Sequence, residues 1–171
     1  MIARRSLIVG LAAGLGGCGF APLYGRHGVA ALRPELASIY VTVMTERQGQ
    51  LLRQALQQRL AGSEEARVKQ FELVGGLSIA AEAIGIQQDT SSTRVRLNAS
   101  SSWTLRRLDV ANTVVTSGIA KGVDGININN QEYFAADLET SAAYLRLADE
   151  IADKIVLDLA IYFRAHPPAI T

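Results

Sequence analysis

Hydrophobic and polar residues alternate most regularly in TRVRLNASSSWTLRRL, residues 93–108. Val95, Leu97, Ala99, Trp103 and Leu105 fall on odd positions, and Arg94, Arg96, Asn98, Ser100, Ser102, Thr104 and Arg106 on even ones. A period of two predicts a strand with one buried and one polar face. DVANT, Asp109 to Thr113, then turns the chain, and Val114 to Val123 returns as the partner strand of a hairpin. Upstream, residues 68–87 place Phe71, Leu73, Leu77, Ile79 and Ala81 in the same period, interrupted by Gly75-Gly76. That pattern predicts one bulged or bent strand. Ser38 to Met44 is a shorter, β-branched strand with Ile39, Val41 and Val43 on one face.

Two segments change to helical spacing. Thr45 and Gln48 form a capping-box pattern, followed by a stripe of Leu52, Ala55, Leu56 and Leu60 and a stop at Gly62. Near the C-terminus Leu145, Ala148, Ala152, Ile155, Leu159 and Tyr162 step by three and four residues. This predicts about 24 helical residues, roughly 36 Å, with Asp149, Asp153 and Asp158 on the wet side and the helix ending at His166-Pro167-Pro168. The asparagine-rich stretch from Asp124 to Phe134 reads as a loop before it. The resulting order, β-α-β-β-β-α, is that of an α+β two-layer sandwich. A small, mixed and mostly antiparallel four-stranded sheet would carry two helices on one face.

The N-terminus is of another kind. MIARRS supplies positive charge, and Leu7 to Leu15 supplies about nine apolar residues, too few for a spanning helix, which needs about 20. The chain's single cysteine follows in Leu15-Gly16-Gly17-Cys18, which resembles the lipobox of bacterial lipoproteins. This implies signal cleavage between Gly17 and Cys18, a diacylglyceryl thioether on Cys18 Sγ, and an acyl chain on its freed amine. Two or three such chains hold a protein on a membrane durably, whereas one binds marginally. The expected organisation is a signal peptide over 1–17, a lipidated extended tether over 18–36, and a single domain over 37–171.

Charge narrows the partners. Without Arg4 and Arg5 the 17 basic residues fall to 15, against 16 acidic ones. That balance excludes the broad basic surface nucleic-acid binding requires. His27 lies in the tether and His166 at the helix exit, and neither has an acid cluster beside it. There is no G-x-S-x-G elbow, phosphate-binding glycine loop or CxxC pair. DGININNQE lacks side-chain oxygens at Ile126 and Ile128, where a calcium loop needs them. No catalytic residue, metal site or cofactor is therefore expected. Arg94 and Arg96, about 7 Å apart on one polar strand face, leave two readings open. Charged strand residues discourage edge pairing, and paired guanidiniums bind phosphate.

CGFAPLYG, Cys18 to Gly25, closely resembles the mature N-terminus of the LptE family, the lipopolysaccharide-assembly lipoproteins of Gram-negative outer membranes. EAIGIQQDTSSTRVRLNASSSWTLRR resembles that family's central hairpin, and residues 129–163 resemble the loop and long terminal helix of its alphaproteobacterial form. Asn127, Asn129 and Asn130 depart from relatives that often carry a tyrosine beside the asparagine. The resemblance implies a non-enzymatic protein in a heterodimer with an LptD-type β-barrel. It would plug the barrel, assist its folding, and support lipopolysaccharide assembly at the cell surface. It further implies an outer-membrane location, lipid-anchored on the periplasmic side and reaching into the lumen, with Cys18 as the anchor. Phe20, Pro22, Leu23 and Tyr24 would form the lead into the barrel, and Arg94 and Arg96 would be candidates to meet lipopolysaccharide phosphates. The alternative is a stand-alone periplasmic lipoprotein that binds a small amphiphile or peptide.

Overall fold

The computed structural model describes residues 33–60, 68–86, 92–127 and 133–167. Gly17, Cys18, the lead residues Phe20 to Tyr24, His27, Gly62, Asn129, Asn130 and Pro168 lie outside them. The described elements are α1 (Arg33–Ala37), β1 (Ile39–Val41), α2 (Arg47–Leu60), β2 (Phe71–Gly75), β3 (Ser78–Ile86), β4 (Ser92–Arg107), β5 (Val114–Asn127) and α3 (Tyr133–Ala165).

The sheet is organised around β4. β5 pairs antiparallel along one of its sides, from Arg94 opposite Asn127 to Arg106 opposite Val114. β2 and β3 share the other side, and β1 adds to β2 in parallel, Ile39 opposite Phe71. The sheet is thus mixed, mostly antiparallel and five-stranded rather than four-stranded, because the strand expected over 68–87 is two. Their register on β4 is nevertheless continuous: Gly75 faces Trp103 and Ser78 faces Ser100. The interruption at Gly76-Leu77 inserts no residue, and the irregularity lies further along, between Ala83 and Ile86.

Alternation along β4 holds as the sequence predicts. Leu97, Ala99, Trp103 and Leu105 are buried beneath the helices, and Arg94, Arg96, Ser100 and Ser102 are exposed on the opposite face. Ser101 shares the inward face and is fully buried, with no partner for its Oγ. Trp103 fits because its neighbours on both sides are glycines, Gly75 and Gly118; a Cβ at Gly118 would stand 2.7 Å from Trp103 Cζ2.

Helix α3 runs over β5 and β4 and packs on α2, so both long helices cover one face. At 33 residues α3 is ~50 Å long, against ~21 Å for the 14-residue α2. Its buried stripe is Ala143, Leu147, Ala148, Ile151, Ala152, Ile155, Leu159 and Phe163. Leu145, expected inside, is 51% exposed, and Tyr162 is half-buried. Arg59, one residue from the end of α2, donates to Asp153 Oδ1 at 2.6 Å and Asp149 Oδ1 at 3.0 Å. The turns of α3 before Asp149 therefore lie past the end of α2, and Leu145 has no helix to cover it. The same pairs hold the Arg59 proton more tightly than usual, the bond to Asp153 being the main cause.

Three boundaries differ from expectation. Arg33–Ala37, at the junction of tether and domain, is helical: Pro34 suits a first helical turn, and Leu36 and Ala37 are buried. β1 ends at Val41 and Val43 is exposed, because the chain turns at Glu46, whose φ of 67° is left-handed. Glu46, not Thr45, precedes α2 and accepts its first bond, from Gln50 N at 3.0 Å. Gly49 permits the turn: a Cβ there would meet Met44 Cβ at 2.9 Å.

Candidate functional site

The face of the sheet away from the helices is open. On β3 it presents Ala80, Glu82 and Ile84; on β4 Arg94, Arg96, Asn98, Ser100 and Ser102; on β5 Ile119, Lys121, Val123 and Gly125. Ile119 and Val123 are more than 60% exposed, although both are β-branched and apolar. Monomeric surfaces carry single exposed aliphatics routinely, but apolar residues clustered with cations on one face mark a contact surface.

One end of this face forms a cleft of about 420 Å³ lined by Ile84, Arg94, Arg96, Val123, Asp124 and Gly125. Strand geometry places both arginines there: they are two residues apart on the outward side of β4, opposite Asn127 and Gly125 of β5. Arg94 passes over Gly125, where a Cβ would stand 3.9 Å from its Nε, in ordinary van der Waals contact. Arg96 Nη1 lies 3.7 Å from Glu82 Oε2 with both side chains about half exposed, a weak pair that leaves the guanidinium accessible. Asp124 does not cancel the positive charge of the cleft. Its Oδ2 accepts from Arg146 Nε at 2.9 Å, and its Oδ1 accepts from Gly125 N at 2.7 Å. Two guanidiniums beside two branched aliphatics suit a ligand carrying an anionic head and an apolar body.

Of the residues singled out from sequence, the fold brings Arg94 and Arg96 together at this cleft. His166 stands apart, exposed and stacked on Tyr162 at 4.5 Å. The sequence reading missed Ile84, Val123 and Gly125 as lining. It ended the second hairpin strand at Val123, whereas β5 continues to Asn127, so Asp124 to Asn127 are strand and not loop. Their own alternation carried the signal: Ala120, Gly122 and Ile126 are inward, and Lys121, Val123 and Gly125 outward. Among the described residues no group of His, Cys, Asp and Glu could hold a metal, and no helix is long and apolar enough to cross a membrane.

Solved structures share this architecture. A lipoprotein from Caulobacter crescentus matches at 27% identity and a TM-score of 0.63, over 81% of this chain and 99% of its own. Rare lipoprotein B from Shewanella oneidensis matches at 10% identity and TM-score 0.55, over 74% of this chain and 96% of that one. A minor lipoprotein from Acinetobacter baumannii matches at 8% and 0.53, over 73% and 92%. The last two likenesses establish the fold alone. None of the curated proteins matches the chain. The family model described as LptE, lipopolysaccharide-assembly, matches residues 36–159, which run from α1 through most of α3 and include the whole sheet. This chain belongs to the LptE family of lipopolysaccharide-assembly proteins.

Proposed function

We propose that this protein is a non-enzymatic outer-membrane lipoprotein that plugs an LptD-type β-barrel, assists the barrel's folding, and supports delivery of lipopolysaccharide to the cell surface. The observation that carries the reading is the open sheet face, where Ile84, Ile119 and Val123 stand exposed beside Arg94, Arg96 and Lys121. A rigid, helix-backed sheet is a suitable body for a barrel interior, because its shape is set before it meets the wall. Burying exposed aliphatics against that wall stabilises the pair at about 25 cal/mol per Å² of apolar area. The cleft at Arg94 and Arg96 then meets phosphate groups of lipopolysaccharide, with Ile84 and Val123 against the adjoining acyl region. Cys18 carries the N-acyl and diacylglyceryl chains after cleavage behind Gly17, and holds the protein on the periplasmic side of the outer membrane.

Depletion in the protein's own host tests this reading. The barrel should lose its mature, heat-modifiable form and surface lipopolysaccharide should fall. Unchanged barrel maturation and unchanged surface lipopolysaccharide in cells lacking the protein would refute it.

A further inference from the structure

At the end of the sheet opposite the arginine cleft, a second exposed surface has no role in the core. The β4–β5 hairpin tip carries Leu108, Val110 and Val114, and the segment leading into β2 carries Val68. Val110 is fully exposed and Val68 is 81% exposed. The two segments are joined by a bond from Leu108 N to Gln70 O at 2.8 Å, so the aliphatics belong to one end of the molecule. Exposed cations lie at the same end: Lys69, Arg107, and Arg164 in the last turn of α3, whose Phe163 ring lies 5.3 Å from Phe71; Arg106 is half-buried, with its Nε enclosed. The described acids at this end include Asp109, 3.9 Å from Arg107, Glu72, opposite Arg106, and Glu35, whose carbonyl accepts from Ser38 N at 3.1 Å. The chain also enters the domain here: Ser38 O accepts from Gln70 N at 2.9 Å, and Lys69 Nζ donates to Ala37 O at 2.7 Å.

We infer that this end, the hairpin tip with the Val68–Gln70 segment, is a membrane-contact surface that takes an anionic lipid bilayer. Exposed aliphatics flanked by lysine and arginine are the chemistry by which peripheral surfaces enter a headgroup layer. The cations face lipid phosphates while Val110 and Leu108 enter the acyl boundary. A lipidated cysteine and such a patch would be two membrane signals in one protein. This rests on the anchored reading of Cys18.

The test uses the full-length lipoprotein reconstituted into vesicles of phosphatidylethanolamine and phosphatidylglycerol. An environment-sensitive fluorophore is placed on a Val110→Cys variant, and in parallel on an Ile84→Cys variant at the far end of the sheet. Mass spectrometry of Cys18 records its acylation. The label at position 110 should shift to the blue and be quenched by brominated lipid, and the label at position 84 should not. The shift should be lost in phosphatidylcholine vesicles and when Arg107→Gln and Arg164→Gln are added. Acylated, vesicle-bound protein whose label at position 110 stays aqueous would overturn the contact and keep the anchor. Unacylated protein that binds no vesicles would overturn both. Shielding of position 110 that appears only with a co-purified barrel would assign the surface to a protein partner and overturn the membrane contact.

Discussion

Replacing Gly118 with alanine would place a methyl group against the indole of Trp103, the chain's single tryptophan. The added Cβ would stand 2.7 Å from Cζ2, 2.9 Å from Cε2 and 3.1 Å from Nε1. Carbon atoms prefer separations of about 3.5–4.0 Å, so the overlap is about 1 Å and the ring must move. It has little room to do so. Trp103 is 4% exposed, and its other neighbour, Gly75, already lies where a Cβ would be 3.3 Å from Trp103 Cβ. Overpacking of this kind costs about 1–3 kcal/mol. Gly118 has no positive φ, so alanine also restrains the unfolded chain and returns about 0.4–1 kcal/mol. The expected net loss is about 0–2.6 kcal/mol, or a fall in Tm of up to about 10 °C for a chain of this size. Urea unfolding followed by circular dichroism measures it. Repeating the substitution in a Trp103→Phe background should make it neutral or stabilising, because the smaller ring vacates the contact. An equal cost in both backgrounds would refute the packing described here.

Ser101→Ala removes a fully buried hydroxyl with no partner, so its unfolding midpoint in urea should be unchanged or raised. Leu159→Ala, at 0% exposure between the layers, should cost about 2–5 kcal/mol by the same assay. Arg59→Met breaks a pair whose carboxylates are more than half exposed, so the loss should be below about 1 kcal/mol and should shrink in high salt. Because the Arg59 pKa is raised, its contribution is complete at neutral pH and is lost only in strong alkali, so arginine titration should leave stability flat through the neutral range. Arg94→Ala with Arg96→Ala should leave the unfolding midpoint within about 0.5 kcal/mol, both being exposed. Lipopolysaccharide binding, measured by displacement of a labelled form, should weaken by about 10-fold or more per lost charged hydrogen bond.

Much of the architecture was legible because β4 lies between two pairing partners and under a helix layer. From Val95 to Leu105 its inward side chains are therefore all apolar except Ser101, and simple alternation identifies them. Ala81 shows the limit of that signal: it continues the inward period of β3 yet is exposed, since the helices do not reach that end of the strand. Helix α3 shows another. Its length exceeds that of α2, and only the tertiary arrangement decides which turns are covered, so Leu145 could not be distinguished from Leu147 by spacing. The helical turn at Arg33–Ala37 is too short to establish a period. Only Arg94 and Arg96 among the cleft residues were readable, since they share one strand face. Ile84, Val123 and Gly125 came from neighbouring strands, and their approach depends on register, which the asparagine-rich composition after Val123 disguised as a loop.

The most direct test of the account is affinity purification of the full-length protein from detergent-solubilised outer membranes of its own host, with mass spectrometry of its partners and of Cys18. The account expects a near-stoichiometric LptD-type barrel and an acylated Cys18. Recovery of the acylated protein alone, with no barrel at any detectable level, would contradict the plug and leave a stand-alone lipoprotein that binds an amphiphile or peptide.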